Sequence, residues 1–217
     1  MLQLNVDLWF GGYVSFIFCF YFWDHQMYLQ NRNQANNLKS WPEHRQLELP
    51  NMNEPTAFDF TVKDLTLYLA DAGQASAELF KVKESTLVSR GQLLRLSKDY
   101  VTALAVDWIT LNLYWSSTKQ PRLQVTSAQG AHTAVLISEG LSQGLDAIAL
   151  HAPSGRLCFV SLGKAGDDQT SQVECAYMDG RNRTLVRETS TQLGSLTLSE
   201  DGGKLYWADT GVFEMLV

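Results

Sequence analysis

The feature that most constrains this chain is a module that recurs four times: an apolar-x-apolar strand, a turn, and a short strand built on an aromatic residue. The first two copies read Phe58-Asp59-Phe60 with Leu67-Tyr68-Leu69-Ala70-Asp71, and Leu104-Ala105-Val106 with Leu113-Tyr114-Trp115-Ser116-Ser117. The last two read Ile148-Ala149-Leu150 with Leu157-Cys158-Phe159-Val160-Ser161, and Leu196-Thr197-Leu198 with Leu205-Tyr206-Trp207-Ala208-Asp209. With Tyr68, Tyr114, Cys158 and Tyr206 aligned as anchors, the spacings are 46, 44 and 48 residues. The apolar pair always stands ten and eight residues before the anchor, and a Leu one before it. A fixed period of this length is the signature of stacked modules, each unable to bury its apolar face alone.

Alternation at period two marks the apolar pairs as half-buried strands, and turn residues such as Pro153-Ser154-Gly155 and Asp201-Gly202-Gly203 separate them from the anchor strands. A third strand follows each anchor (Leu123-Gln124-Val125; Val173 to Tyr177). A Gly-centred turn at Gly130 or Asp179-Gly180 then leads into a fourth, Ala134 to Ile137 or Thr184 to Val186. Four short antiparallel strands per period make one blade of a β-propeller. The expected fold is therefore all-β, a partial propeller of about four blades.

The copies resemble the class B repeats of the low-density lipoprotein receptor family, six-bladed propellers named for the tetrapeptide Tyr-Trp-Thr-Asp. The resemblance rests on Tyr206-Trp207-Ala208-Asp209, Tyr114-Trp115-Ser116-Ser117, Tyr68-Leu69-Ala70-Asp71 and the turn Met178-Asp179-Gly180-Arg181-Asn182-Arg183-Thr184. No copy has the full tetrapeptide, so the register carries the likeness. It implies a structural hydrogen-bonding role between blades for Asp71 and Asp209; Trp115 and Trp207, large aromatics at one repeat position, read as core. It further implies a non-enzymatic extracellular segment of an endocytic receptor, with EGF-like modules of a parent receptor or a protein ligand as partners. Low-pH ligand release belongs to the same implication, and His132 and His151 are the histidines within the repeats. With about four anchors against six blades, the chain is either a piece of a longer receptor or closes by association.

Three segments are expected: an apolar segment over 1–25, a polar linker over 26–54, and an incomplete propeller over 55–217. Leu8 to Trp23 is uncharged and rich in aromatics. It falls short of the roughly 20 apolar residues of a membrane span. It also lacks the basic n-region and small-residue cleavage site of a signal peptide. Signal anchor, irregular secretory signal and aberrant gene start all stay open, and with them membrane association through this run. The Asn- and Gln-rich stretch from Gln26 to Asn53 reads as disordered.

Cys158 stands at an anchor position, and Cys175 at the position Val125 holds in the second copy. The separation has grown from eleven to seventeen residues, with the midpoint between Gly166 and Asp167 in a turn-like run. A hairpin symmetric about that midpoint sets the two cysteines opposite each other, at a distance a disulfide tolerates. The spacing thus predicts a Cys158–Cys175 bridge and an oxidising compartment. Cys19 has no evident partner. Asn182-Arg183-Thr184 is an N-glycosylation sequon in an exposed turn.

A net charge of −6 with scattered Lys and Arg gives no surface for nucleic acid. The histidines and cysteines show no metal-ligand spacing, and Gly202-Gly203 lacks the following helix of a phosphate loop. No cofactor is expected. Two other readings remain: a propeller hydrolase of the sugar-lactonase type, for which the repeats supply no converging set of ligands, and an intracellular scaffold propeller with reduced cysteines.

Overall fold

The computed structural model describes residues 54–83, 86–162 and 170–208 in full, and outside these ranges only the backbone of paired strands. These strands are β1 (Gln3–Asn5), β2 (Phe18–Trp23), β3 (Gln26–Asn31) and β4 (His44–Leu47), then β5 (Pro55–Thr61), β6 (Thr66–Asp71), β7 (Ser76–Lys83) and β8 (Thr86–Arg95). There follow β9 (Val101–Val106), β10 (Leu113–Ser117), β11 (Leu123–Thr126) and β12 (Thr133–Ile137), then β13 (Ala147–His151), β14 (Arg156–Leu162), β15 (Ser171–Tyr177) and β16 (Thr184–Thr189). The chain continues through β17 (Leu193–Leu198), β18 (Leu205–Asp209) and β19 (Met215–Leu216). They form five antiparallel meanders in chain order, of which β5–β8, β9–β12 and β13–β16 are full four-stranded blades and β17–β19 the start of another.

The blades stack by one rule. Positions −10, −8, −1 and +1 relative to each anchor face the preceding blade, and positions −11, −9 and 0 face the following one. Leu104, Val106, Leu113 and Trp115 thus pack on Ala57, Tyr68 and Ala70 of the blade before. Ile148, Leu150, Leu157 and Phe159 pack on Ala103, Ala105 and Tyr114. Leu196, Leu198, Leu205 and Trp207 pack on Ala147, Ala149 and Cys158. Large side chains from one face enter a neighbouring face whose first strand carries small ones, Ala57, Ala103, Ala105, Ala147 and Ala149, beside its anchor. The Gly-centred turns tighten the outer rim. Gly130 and Gly180 hold positive φ of 72° and 85°, and a Cβ there would stand 2.7 Å from the Leu93 carbonyl oxygen and 2.5 Å from that of Leu136, on the preceding blade.

β2 falls in the run read as an apolar segment, and β3 and β4 fall in the stretch expected to be an unpaired linker over 26–54. The backbone of these strands is paired, β1-β2-β3-β4 in order. The aromatic run is rich in strand formers, and Gln26-Met27-Tyr28-Leu29 supplies a partner strand that Asn and Gln content alone had masked.

Trp115 is 3% exposed and its Nε1–H donates to the Thr126 hydroxyl at 2.9 Å, whereas Trp207 is only half-buried. Trp115→Ala is expected to cost roughly 3–5 kcal/mol in denaturant unfolding, and Trp207→Ala clearly less. Equal losses would contradict the stacking rule.

Candidate functional site

The interfaces between blades hold the polar chemistry of this protein. The buried Asp71 carboxylate accepts from Glu54 N at 3.0 Å and Gly73 N at 2.8 Å through Oδ1. Those amides stand fourteen residues before and five after the anchor, so the side chain ties the chain entering the blade to the far end of its second strand. In the next blade the position of Asp71 is Ser117, and the tie is still made. Asp99, on the entering segment, accepts from Tyr100 N at 2.9 Å and Lys119 N at 3.0 Å. Tyr100 and Lys119 are again fourteen before and five after the anchor, so the same pair of amides is satisfied by a carboxylate that has changed its place in the sequence. Asp209 lies at the end of β18, and its side chain falls outside the described residues.

Asp59 makes a second kind of tie. It lies on innermost strand β5, opposite the anchor Tyr68, and its Oδ2 accepts from Val106 N of the next blade at 2.7 Å while Oδ1 accepts from Phe60 N at 2.8 Å. Burial pushes its pKa up to about 6, against the opposing pull of those two N–H groups. The Tyr68 hydroxyl is raised in turn, by its own burial first and then by the charges of Asp59 and Asp64. The equivalent places in later blades are Ala105, Ala149 and Thr197, so this carboxylate belongs to one interface alone.

Arg183 is a site residue that the sequence reading passed over. Its Nε donates to Glu174 Oε2 at 2.6 Å and an Nη to Oε1 at 2.7 Å, a two-pronged pair in which the Glu174 side chain is 8% exposed. The Ser161 hydroxyl donates to the same carboxylate, and the guanidinium lies 5.5 Å from the Phe159 ring centre. Another Arg183 nitrogen reaches the Glu139 carbonyl on the segment leaving the previous blade. Its place in the Met178 to Thr184 turn was the available signal.

Cys158 and Cys175 face each other in the β14–β15 ladder and are joined, with S–S 2.03 Å and Cα atoms 4.0 Å apart. The ladder is symmetric about the midpoint between residues 166 and 167, from Arg156↔Tyr177 to Leu162↔Ser171. Asn182 is exposed at φ 56°, a left-handed turn position that Asn tolerates. Tyr68 and Tyr114 are buried, and Tyr206 is half-buried. His132 is exposed. His151 bridges two blades: Nε2 lies 2.8 Å from the Glu200 carbonyl and Nδ1 2.6 Å from the Ser154 hydroxyl. A carbonyl only accepts, so Nε2 carries the proton.

The first-to-second-strand turns and the third-to-fourth-strand turns emerge at one end of every blade, as the meander requires. There the structure exposes Trp108 (60%) and Ile109 (55%), together with Leu65 (39%) and Tyr177 (47%). Asp107 anchors the Trp108 turn, accepting from Ile109 N at 2.9 Å and the Thr110 hydroxyl at 2.5 Å. Sequence reasoning missed Trp108 and Ile109, although two large apolar residues inside a tight turn were the clue. Among the described residues no group of His, Cys, Asp and Glu could hold a metal ion, and no helix is long and apolar enough to cross a membrane.

No protein-family profile matches the chain. It is 30% identical over 107 residues to a human low-density lipoprotein receptor-related protein 5-like protein, covering 49% of this chain and 40% of the relative. Protein cueball of Drosophila yakuba is 24% identical over 170 residues, 74% of this chain and 26% of that protein. The chain thus spans well under half the length of these relatives. A chain of a nidogen/laminin complex superposes with a TM-score of 0.71 at 19% identity, over 88% of this chain and 70% of its own. These likenesses show a β-propeller fold and support a region similar to the YWTD propellers of low-density lipoprotein receptor-related proteins. Hydrazine synthase of Kuenenia stuttgartiensis shares the fold at 12% identity, TM-score 0.60, over 90% of this chain and 52% of its own, so the fold does not by itself separate binding proteins from enzymes.

Two predictions follow from the ties. Asp99→Ala is expected to lose about 1–3 kcal/mol because buried amides are left unmade, and adding Ser117→Asp should restore part of it in urea unfolding. A double variant no more stable than the single one would break the equivalence with Asp71. For Asp59, a folded-state pKa above the unfolded value means the native state binds the proton more tightly. Its contribution is complete below pH ~4 and is lost as pH rises through about 6. Asp59→Asn should remove this slope, worth at most about 3 kcal/mol, while leaving unmade one of the two backbone N–H bonds that the carboxylate accepts. Parallel pH–stability curves for the two would refute it.

Proposed function

We propose that this chain is a non-enzymatic propeller segment of an extracellular receptor that binds protein through the end of the blades carrying Trp108 and Ile109. The exposure of these two side chains, 60% and 55%, carries the reading. Large aromatics that a fold leaves uncovered are characteristic anchors of protein interfaces. Asp107 holds their turn from below, so the anchor is presented in a fixed shape. The naming of one relative as receptor-related, and the solution of a propeller relative in a nidogen/laminin complex, support a protein rather than a small molecule as partner. An adjoining EGF-like module of the parent receptor is the second partner class in this reading.

The extracellular part rests on the joined Cys158 and Cys175 and on the exposed Asn182 turn. We assign acid-dependent release to His151, on the same end of the blades.

Expression in a secreting eukaryotic cell tests the proposal, with mass analysis before and after reduction and glycosidase. A secreted chain with a Cys158–Cys175 bridge and a glycan on Asn182 is expected. On cells, cross-linking of that chain to surface proteins should fall about tenfold or more for Trp108→Asp at unchanged melting temperature. Retention with free thiols would overturn the extracellular reading, and equal cross-linking would overturn the binding end.

A further inference from the structure

The first blade presents an upstream face that no described blade covers. By the stacking rule its Phe58, Phe60, Leu67 and Leu69 face away from the second blade, toward whatever precedes them. Yet Phe58 is 2% exposed, Leu67 and Leu69 are 0%, and Phe80 beside them is 1%. A face buried to this degree has an occupant, and the chain before residue 54 holds a four-stranded meander in the same order as the other blades.

The register of that meander repeats the module. In the later blades the anchor pairs with the middle residue of the apolar triplet: Tyr68 with Asp59, Tyr114 with Ala105, Cys158 with Ala149, Tyr206 with Thr197. In the first meander Tyr21 pairs with Gln3, the middle of Leu2-Gln3-Leu4. Tyr21 follows Phe20, as the anchors follow Leu, and Asp24 stands three residues on, as Asp71 and Asp209 do. Tyr21 lies 47 residues before Tyr68, inside the 44 to 48 range of the other copies. The third strand adds Tyr21↔Tyr28, matching Tyr68↔Leu79. An independent sign comes from the nidogen superposition. It spans 88% of the chain, about 191 of 217 residues, whereas residues 54–217 supply only 164.

We infer that β1–β4 form a further blade of the propeller, seated on the Phe58, Leu67 and Leu69 face, and that Phe18–Trp23 is its second strand. The aromatic run is then an inter-blade strand that belongs to the folded protein, instead of a leader to be cleaved or an anchor to be inserted in a bilayer.

The full-length chain tests this by hydrogen exchange. Amides of Phe18–Trp23 are expected to exchange within about tenfold of those of Thr66–Asp71, and exchange at the rate of free chain would overturn the inference. As a second arm, a protease site placed in the 50–53 connection is cut in the folded protein. Co-elution of residues 1–49 with the remainder supports the blade. Their separation, or partition of the released piece into phosphatidylcholine vesicles, overturns it. Both arms leave the proposed binding end untouched, so this inference and that reading fail separately.

Discussion

Everything in this molecule depends on the meeting of a large-residue face with a small-residue face between successive blades. Strand alternation gives each sheet two sides, and both are apolar, so a blade has no core of its own. Stability is therefore a chain of nearest-neighbour terms, each link set by about ten side chains such as those around Trp115 or Phe159. The specific chemistry gathers at the same links. Asp59 reaches across one, Arg183 and His151 reach across others, and the disulfide sits on the face that meets Leu193 and Leu196.

The polar ties show why the tetrapeptide decays while the fold persists. What a blade needs is an acceptor for two backbone amides, one on the entering strand and one beyond the second strand. Asp71 supplies it from the motif in one blade, and Asp99 supplies it from outside the motif in the next. A buried amide left unmade costs more than the net gain of an ordinary hydrogen bond. The demand is therefore fixed in space while the residue that answers it is free to move. Ser117 at the motif position is then the consequence of a relocated carboxylate.

Much of this was legible in the sequence, and the misses have physical causes. The anchor register and the symmetric cysteine hairpin depended only on strand period and turn length, quantities that spacing records directly. Asp99 and Asp59 were not legible, because an acceptor's partner lies in another blade or at the far end of its own. Trp108 was missed because the apolar periodicity that marks a core residue says nothing about an apolar residue in a turn. The first meander was missed for a single reason: Gln3 stands eighteen residues before Tyr21, where later blades place the matching residue nine before the anchor. The apolar pair Leu2 and Leu4 therefore lies outside the −10 and −8 positions, so a search at fixed offsets saw an aromatic run with no partner.

The third blade makes the cost of departing from the pattern visible. Its anchor is Cys158, where other blades direct a tyrosine ring at their neighbour, and so the link to the fourth blade loses aromatic area that Tyr68 and Tyr114 provide elsewhere. The lost burial is worth on the order of 1–2 kcal/mol. The bond to Cys175 closes a 17-residue loop, a constraint worth about 3 kcal/mol in the unfolded chain. The same hairpin carries the six-residue insertion, which lengthens the chain that folding must close between the two strands. A cross-link is the compensation suited to that situation, since it acts on the loop that grew, while the small sulfur pair leaves Val160 and Val173 fully buried against Leu193.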